Sequence, residues 1–347
     1  MRFHPKHWEI HAGSENTMRG IHDPAAQVLL PILDTYRSSA IAVVGCHAGG
    51  IERPSCELDV VLITNEKRPN STVRIGQVFL DLFFVSEKDA LKPVSPEHAV
   101  SLAHAKTIRD TSLTLSTGIA SNLAILGSSA QRSSNQRLAW SLKSLGRAQE
   151  ALSKGSTINA DYWLLSAAYD YAYSLLYSRE TSPSPSHLLD QLKGLSEETP
   201  KSFESFSRGS GLENSSRSSC RSRLDGLAVL YDVLAGGHEG ARAAKSQWST
   251  VRFDCVDSKA KELNQRVEHA ECYSYLGIET LNALRQLMMR EGGMTRTGIG
   301  PSILTTGKSR LLGDRLLNDI GLLREPDLLK EALELVRTQV TRLARKT

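Results

Sequence analysis

No run in the 347 residues approaches the roughly 20 consecutive apolar positions that a membrane-crossing helix needs. The N-terminal "MRFHPKHWEIH" lacks the apolar stretch of a secretion signal. Cysteine is scarce: five residues, an odd number scattered at 46, 56, 220, 255 and 272, which argues against a disulfide framework. No strong charge of one sign is present either, since 42 Lys and Arg against 38 Asp and Glu leave a formal +4. That mild excess permits an anionic partner such as a nucleotide or RNA without requiring one. No repeat of fixed period is evident. These absences predict a cytoplasmic protein with no membrane partner.

What is present is ordinary globular composition, 40% hydrophobic and 23% charged, in a chain long enough for two domains. Two textures divide it. Up to about residue 110 the pattern mixes helix and strand. Asp23 and Pro24 cap a predicted helix in "DPAAQVLLPILDTYRSS". Strands are predicted at "AIAVVG" (40–45), "LDVVLIT" (58–64) and "QVFLDLFFVS" (77–86), with "STVRI" (71–75) as a hairpin partner of the last. Ser95 and Pro96 start a helix over 95–106. From about 112 onward the spacing is helical almost throughout. In "NADYWLLSAAYDYAYSLLYSR", Trp163, Leu164, Ala167, Ala168, Tyr171, Leu175 and Leu176 share a stripe that reads as core. The fold class is therefore α+β: a small mixed-sheet domain over 1–110, then a mainly α-helical domain over 111–347.

The chemistry concentrates in "GCHAGGIERPSCELDVVLI" (45–63). A strand ending in glycine lets the backbone turn tightly beside a ligand, and the following residues can open a short helix favouring phosphate. Glu57 and Asp59 project from one face, because strand side chains alternate with period two. Asp81, between Leu80 and Leu82 in an apolar strand, joins them if its strand is adjacent, about 4.8 Å away. Carboxylates so clustered repel unless a cation sits among them. Three of them beside a glycine turn suit one or two Mg²⁺ ions, which would hold a triphosphate and polarise an attacking hydroxyl.

Gly45-Cys46, Gly50 and Cys56-Glu57-Leu58-Asp59, followed by Asp81, resemble the nucleotidyltransferase signature of the DNA polymerase β superfamily. The likeness covers about residues 24–90 and lies nearest the small bacterial and archaeal members. It implies metal ligation and catalysis by Glu57, Asp59 and Asp81, with Mg²⁺ or alternatively Mn²⁺. It also implies that Gly45 and Cys46 hold the β,γ-phosphates of an NTP. The implied reaction transfers a nucleoside monophosphate to a hydroxyl of RNA, protein or a small molecule, and Asp81 assists its deprotonation. The chain departs from the family at Cys46 (serine there), Glu57 (usually aspartate) and Gly49 (often basic). Arg53, Lys67 and Arg68 are the cations expected to serve the phosphates in its place. The departures leave one alternative, a catalytically degenerate member that binds nucleotide, RNA or protein.

Other features carry less. "TTGKSR" (305–310) lacks the first glycine of a phosphate loop, because position 302 is serine. His4, His7 and His11 are interrupted by Pro5. Arg179 and His187 flank the proline-rich "SRETSPSPSHLL", which reads as a helix connection, and the Ser-rich "RGSGLENSSRSSCRSR" (208–223) as an irregular basic link. A redox pair of Cys46 and Cys56, or a metal site of Cys46, His47 and Cys56, ranks below packing roles for the two thiols.

Overall fold

The apolar runs that read as strands form one sheet, and its pairing decides which side chains meet. In the computed structural model the described residues are 35–36, 38–66, 68–92, 95–196, 200–236, 250–290, 294–295, 298–299, 314–322 and 324–345. Nearly all of the helix expected after Asp23, the N-terminal histidines, Lys67 and the 305–310 segment lie outside them. The chain divides into two compact units, Met1–Arg37 and Ser38–Thr347, and the sheet belongs to the second.

The strands of this sheet are Ala40–Val44 (β1), Leu58–Ile63 (β2), Ser71–Ile75 (β3), Val78–Val85 (β4) and Lys106–Asp110 (β5), and Met294–Thr295 and Gly298–Ile299 form a separate two-stranded pair. They lie in the order β3-β4-β2-β1-β5. β1 is antiparallel to β2 and to β5, β3 and β4 form the expected hairpin, and β2 runs parallel to β4. All five residues of β1 are buried, as its unbroken apolar sequence requires of a central strand. β5 is a departure from the sequence expectation, in which a helix runs to 106. That helix ends at Ala103, and "KTIRD" is a charged, partly exposed edge strand with no apolar alternation to betray it. Ser95 caps Pro96–Ala103 by accepting a hydrogen bond from the His98 amide, with Pro96 in the first turn.

Along β2 and β4 one face carries Asp59, Val61, Ile63 and Asp81, Phe83, Val85. The apolar members of that row pack with Ala90, Leu102 and Leu115 from the helices Glu87–Leu91, Pro96–Ala103 and Thr114–Ala124. The acids occupy the end of the row that these helices leave uncovered, while Leu58 and Leu80 are buried on the opposite face.

The helical part is built around Thr157–Tyr177. Its expected stripe is buried, and so is nearly every other residue of the helix. Leu126–Ser153, Pro200–Ser210, His269–Arg290 and Pro326–Ala344 surround it. Two aspartates survive inside because arginines meet them: Arg324 Nε donates to Asp161 at 2.7 Å and Arg137 Nη1 to Asp170 at 3.0 Å. Residues 217–223, read as part of an irregular link, instead begin the helix Arg217–Gly236. Arg223 there is buried over the Tyr273 ring, so it is no phosphate-facing surface cation. Thr250–Gln265 packs against β3, and Arg252 and Lys259, seven residues apart, fall on one of its faces.

Candidate active site

The parallel register sets Asp59 directly opposite Asp81, and Glu57 enters from the residue before β2. Carboxylate oxygens of Glu57, Asp59 and Asp81 lie within 4.8 Å of one another, all three side chains half-buried. The turn after β1 presses on this group. Gly45 has φ +69°, and a Cβ built there would overlap Asp59 Oδ2, so both conformation and space demand glycine.

Two cations from Thr250–Gln265 reach into the cluster. Lys259 Nζ donates to Glu57 Oε2, and Arg252 Nη1 donates to Asp81 Oδ2 at 2.7 Å while Nη2 reaches Glu279 Oε1 at 2.8 Å. Thr72 Oγ1, across the hairpin, donates to Asp81 Oδ1 at 2.6 Å. The Asp59 carboxylate makes no hydrogen bond or ion pair among the described residues.

The electrostatics follow from that division. Burial opposes the charge on Glu57, yet the Lys259 ammonium and the Arg252 guanidinium overcome it and hold the carboxyl down at about 2. Burial pushes Asp59 well above its ordinary value, and the charges of Glu57 and Asp81 push it further. Burial penalises the charged forms of Lys259 and Arg252 as well, but their carboxylate partners keep both firmly protonated. With Asp59 ionised, as a bound cation would hold it, Glu57, Asp59, Asp81 and Glu279 against Arg252 and Lys259 leave two formal negative charges. The unmatched donor is Asp59, a hard oxygen ligand between two others. This set fits a small divalent cation such as Mg²⁺.

Beside the cluster opens a cleft of about 430 Å³, with Asp81, Thr72, Arg252, Glu279, Arg285 and Asn282 in its lining. No known family matches the sequence, and no curated protein does. Among solved structures the chain is similar to a nucleotidyltransferase-like protein from Exiguobacterium sibiricum 255-15. The two are 12% identical over 78% of this chain and 92% of that one, with a TM-score of 0.34. So loose an overlay carries no argument about activity.

Of the residues expected to hold phosphates, Cys46, Arg68 and Arg53 have partners within the protein. The Cys46 side chain is buried and turned to Cys56. Arg68 pairs with Glu66, its Nε 2.7 Å from Oε2. Arg53 is a clamp: Nη1 meets Glu268 at 2.6 Å and Nη2 meets Asp190 at 2.5 Å. With the Ser55 amide donating to Glu262 at 2.8 Å, it ties the loop carrying Glu57 to the helices. Lys67 lies outside the described residues.

Sequence reasoning missed Arg252 and Lys259, and it read His187 as part of a plain helix connection. A cation pair spaced seven apart in "VRFDCVDSKAKELNQR" is a faint signal, because such helices usually carry it on a solvated face. His187 sits in the short 3-10 turn Pro185–His187 and places Nε2 3.1 Å from Cys56 Sγ. The hydrogen bond from Cys46 lowers Cys56 most; His187 and Lys259 add to it against burial, leaving the thiol at about 4. Cys46 is correspondingly pushed up.

Proposed function

We propose that the chain is a nucleotidyltransferase that moves a nucleoside monophosphate from NTP to a hydroxyl acceptor on RNA, protein or a small molecule. The observation that carries this reading is the convergence of Glu57, Asp59 and Asp81 on one sheet face against the Gly45 turn. Mg²⁺ or Mn²⁺ held by these carboxylates would neutralise the triphosphate and make the acceptor hydroxyl more acidic. The chain's own groups do the rest. Asp81, in the wall of the cleft, receives the acceptor's proton, and Thr72 fixes its orientation. Lys259 keeps Glu57 ionised. Arg252 and Arg285 face the cleft and supply positive charge toward phosphate oxygens. A bond forms between the acceptor oxygen and the α-phosphorus, the α–β bridge breaks, and pyrophosphate leaves.

The alternative is a binding module that has lost transfer chemistry. One observation favours it: Lys259 and Arg252 already neutralise two of the three carboxylates. Pyrophosphate release separates the readings. Each NTP is incubated with Mg²⁺ and pooled RNA, protein or aminoglycoside-like acceptors, using wild type and Asp59→Asn. Release by wild type alone is expected. NTP binding with release no faster than in the variant would overturn the enzyme reading in favour of the module.

A further inference from the structure

We propose that Cys46, Cys56 and His187 form a second metal site, for a thiophilic divalent cation of the zinc class. Their Sγ, Sγ and Nε2 atoms converge within 4.8 Å, and all three residues are buried, at 4%, 7% and 2% exposure. They come from three separate places: the turn after β1, the loop before β2 and the 3-10 turn among the helices. Tetrahedral zinc with Zn–S near 2.3 Å and Zn–N near 2.05 Å sets S···N at about 3.5 Å and S···S at about 3.8 Å. The observed 3.1 Å between Cys56 and His187 therefore needs to widen only slightly.

The scaffold suits the role. The Arg53 amide donates to Cys56 Sγ at 3.3 Å, and the Arg53 clamp holds that loop on the helices. The His187 amide is bonded to Ser184 O at 3.0 Å. Two thiolates and a neutral imidazole cancel the charge of one divalent ion, which makes its burial tolerable. Both cysteines are free thiols. Ligand hardness separates this site from its neighbour: sulfur and imidazole select zinc or cobalt, and the carboxylates select magnesium. The ion would pin the Gly45 turn and the Glu57 loop to the helical region. This inference stands independently of nucleotidyl transfer.

Cobalt spectroscopy on the full chain tests it. Reduced, metal-free protein is titrated with Co²⁺, then with Zn²⁺. One Co²⁺ per chain is expected, with thiolate-to-cobalt charge-transfer bands that Zn²⁺ abolishes. The bands disappear in Cys56→Ser and titrate at least about tenfold more weakly in His187→Ala. They persist in Asp59→Asn, which separates this site from the carboxylates. They also persist in Cys220→Ser, a control that stays informative if Cys56→Ser fails to fold. Absence of the bands in wild type overturns the proposal. So does their survival in folded Cys56→Ser, their loss in Cys220→Ser, or a Cys46–Cys56 disulfide in freshly purified protein.

Discussion

Asp59 stands between two other carboxylates without a cation of its own, and this makes it a liability to the fold. Its carboxyl is held above the ordinary 3.8, so between these two values the folded chain keeps a proton that the unfolded chain has released. Stability contributed this way falls as pH rises through the folded value. Asp59→Asn should therefore raise the unfolding midpoint of the metal-free protein at neutral pH, measured by calorimetry, while removing any response to Mg²⁺. Glu57 has the opposite sign. Its carboxyl drops from 4.5 to about 2, so its stabilisation is complete above the ordinary value and is lost as pH falls toward 2. The shift corresponds to roughly 3 kcal/mol. Glu57→Gln strands Lys259 without its closest partner in a buried position and should cost about 3–5 kcal/mol in urea unfolding. The double variant Glu57→Gln/Lys259→Met should recover most of that loss.

At the scale of elements, the loop over residues 51–57 and the helix Thr250–Gln265 decide the site. The loop has no regular structure, and Arg53 supplies the hold by bridging Asp190 and Glu268. Arg53→Ala should lower hydrogen-exchange protection across the loop and at the start of β2, while the β3–β4 hairpin keeps its protection. The strands and the three acids were legible because apolar runs and a two-residue period are local signals. β5 was not, since a charged edge strand resembles a turn. Arg252 and Lys259 were not, because their partners lie 171 and 202 residues away and nothing near either position announces them. Arg53 is the converse case. Its charge was visible and invited a phosphate role, but two distant carboxylates claim it. Cys46 is similar: its place in the signature was plain, but its turn toward Cys56 and the arrival of His187 beside them are products of the fold.

For the whole molecule, the consequence is that the sheet supplies the carboxylates and the helical region supplies their counter-charges. Among the described residues no helix is long and apolar enough to cross a membrane. The two formal negative charges that ionised Asp59 leaves at the cluster are the proposed seat of a divalent cation, and nucleotide should bind only with it. Thermal unfolding of the full chain with each NTP, with and without Mg²⁺, for wild type and Asp59→Asn, tests this most directly. At about 100 times its dissociation constant a ligand adds roughly 2.7 kcal/mol of stability. A rise in midpoint that needs both NTP and Mg²⁺ and vanishes in Asp59→Asn is the expected result. No rise with any nucleotide, or an equal rise in the variant, would contradict a metal-dependent nucleotide site at these carboxylates.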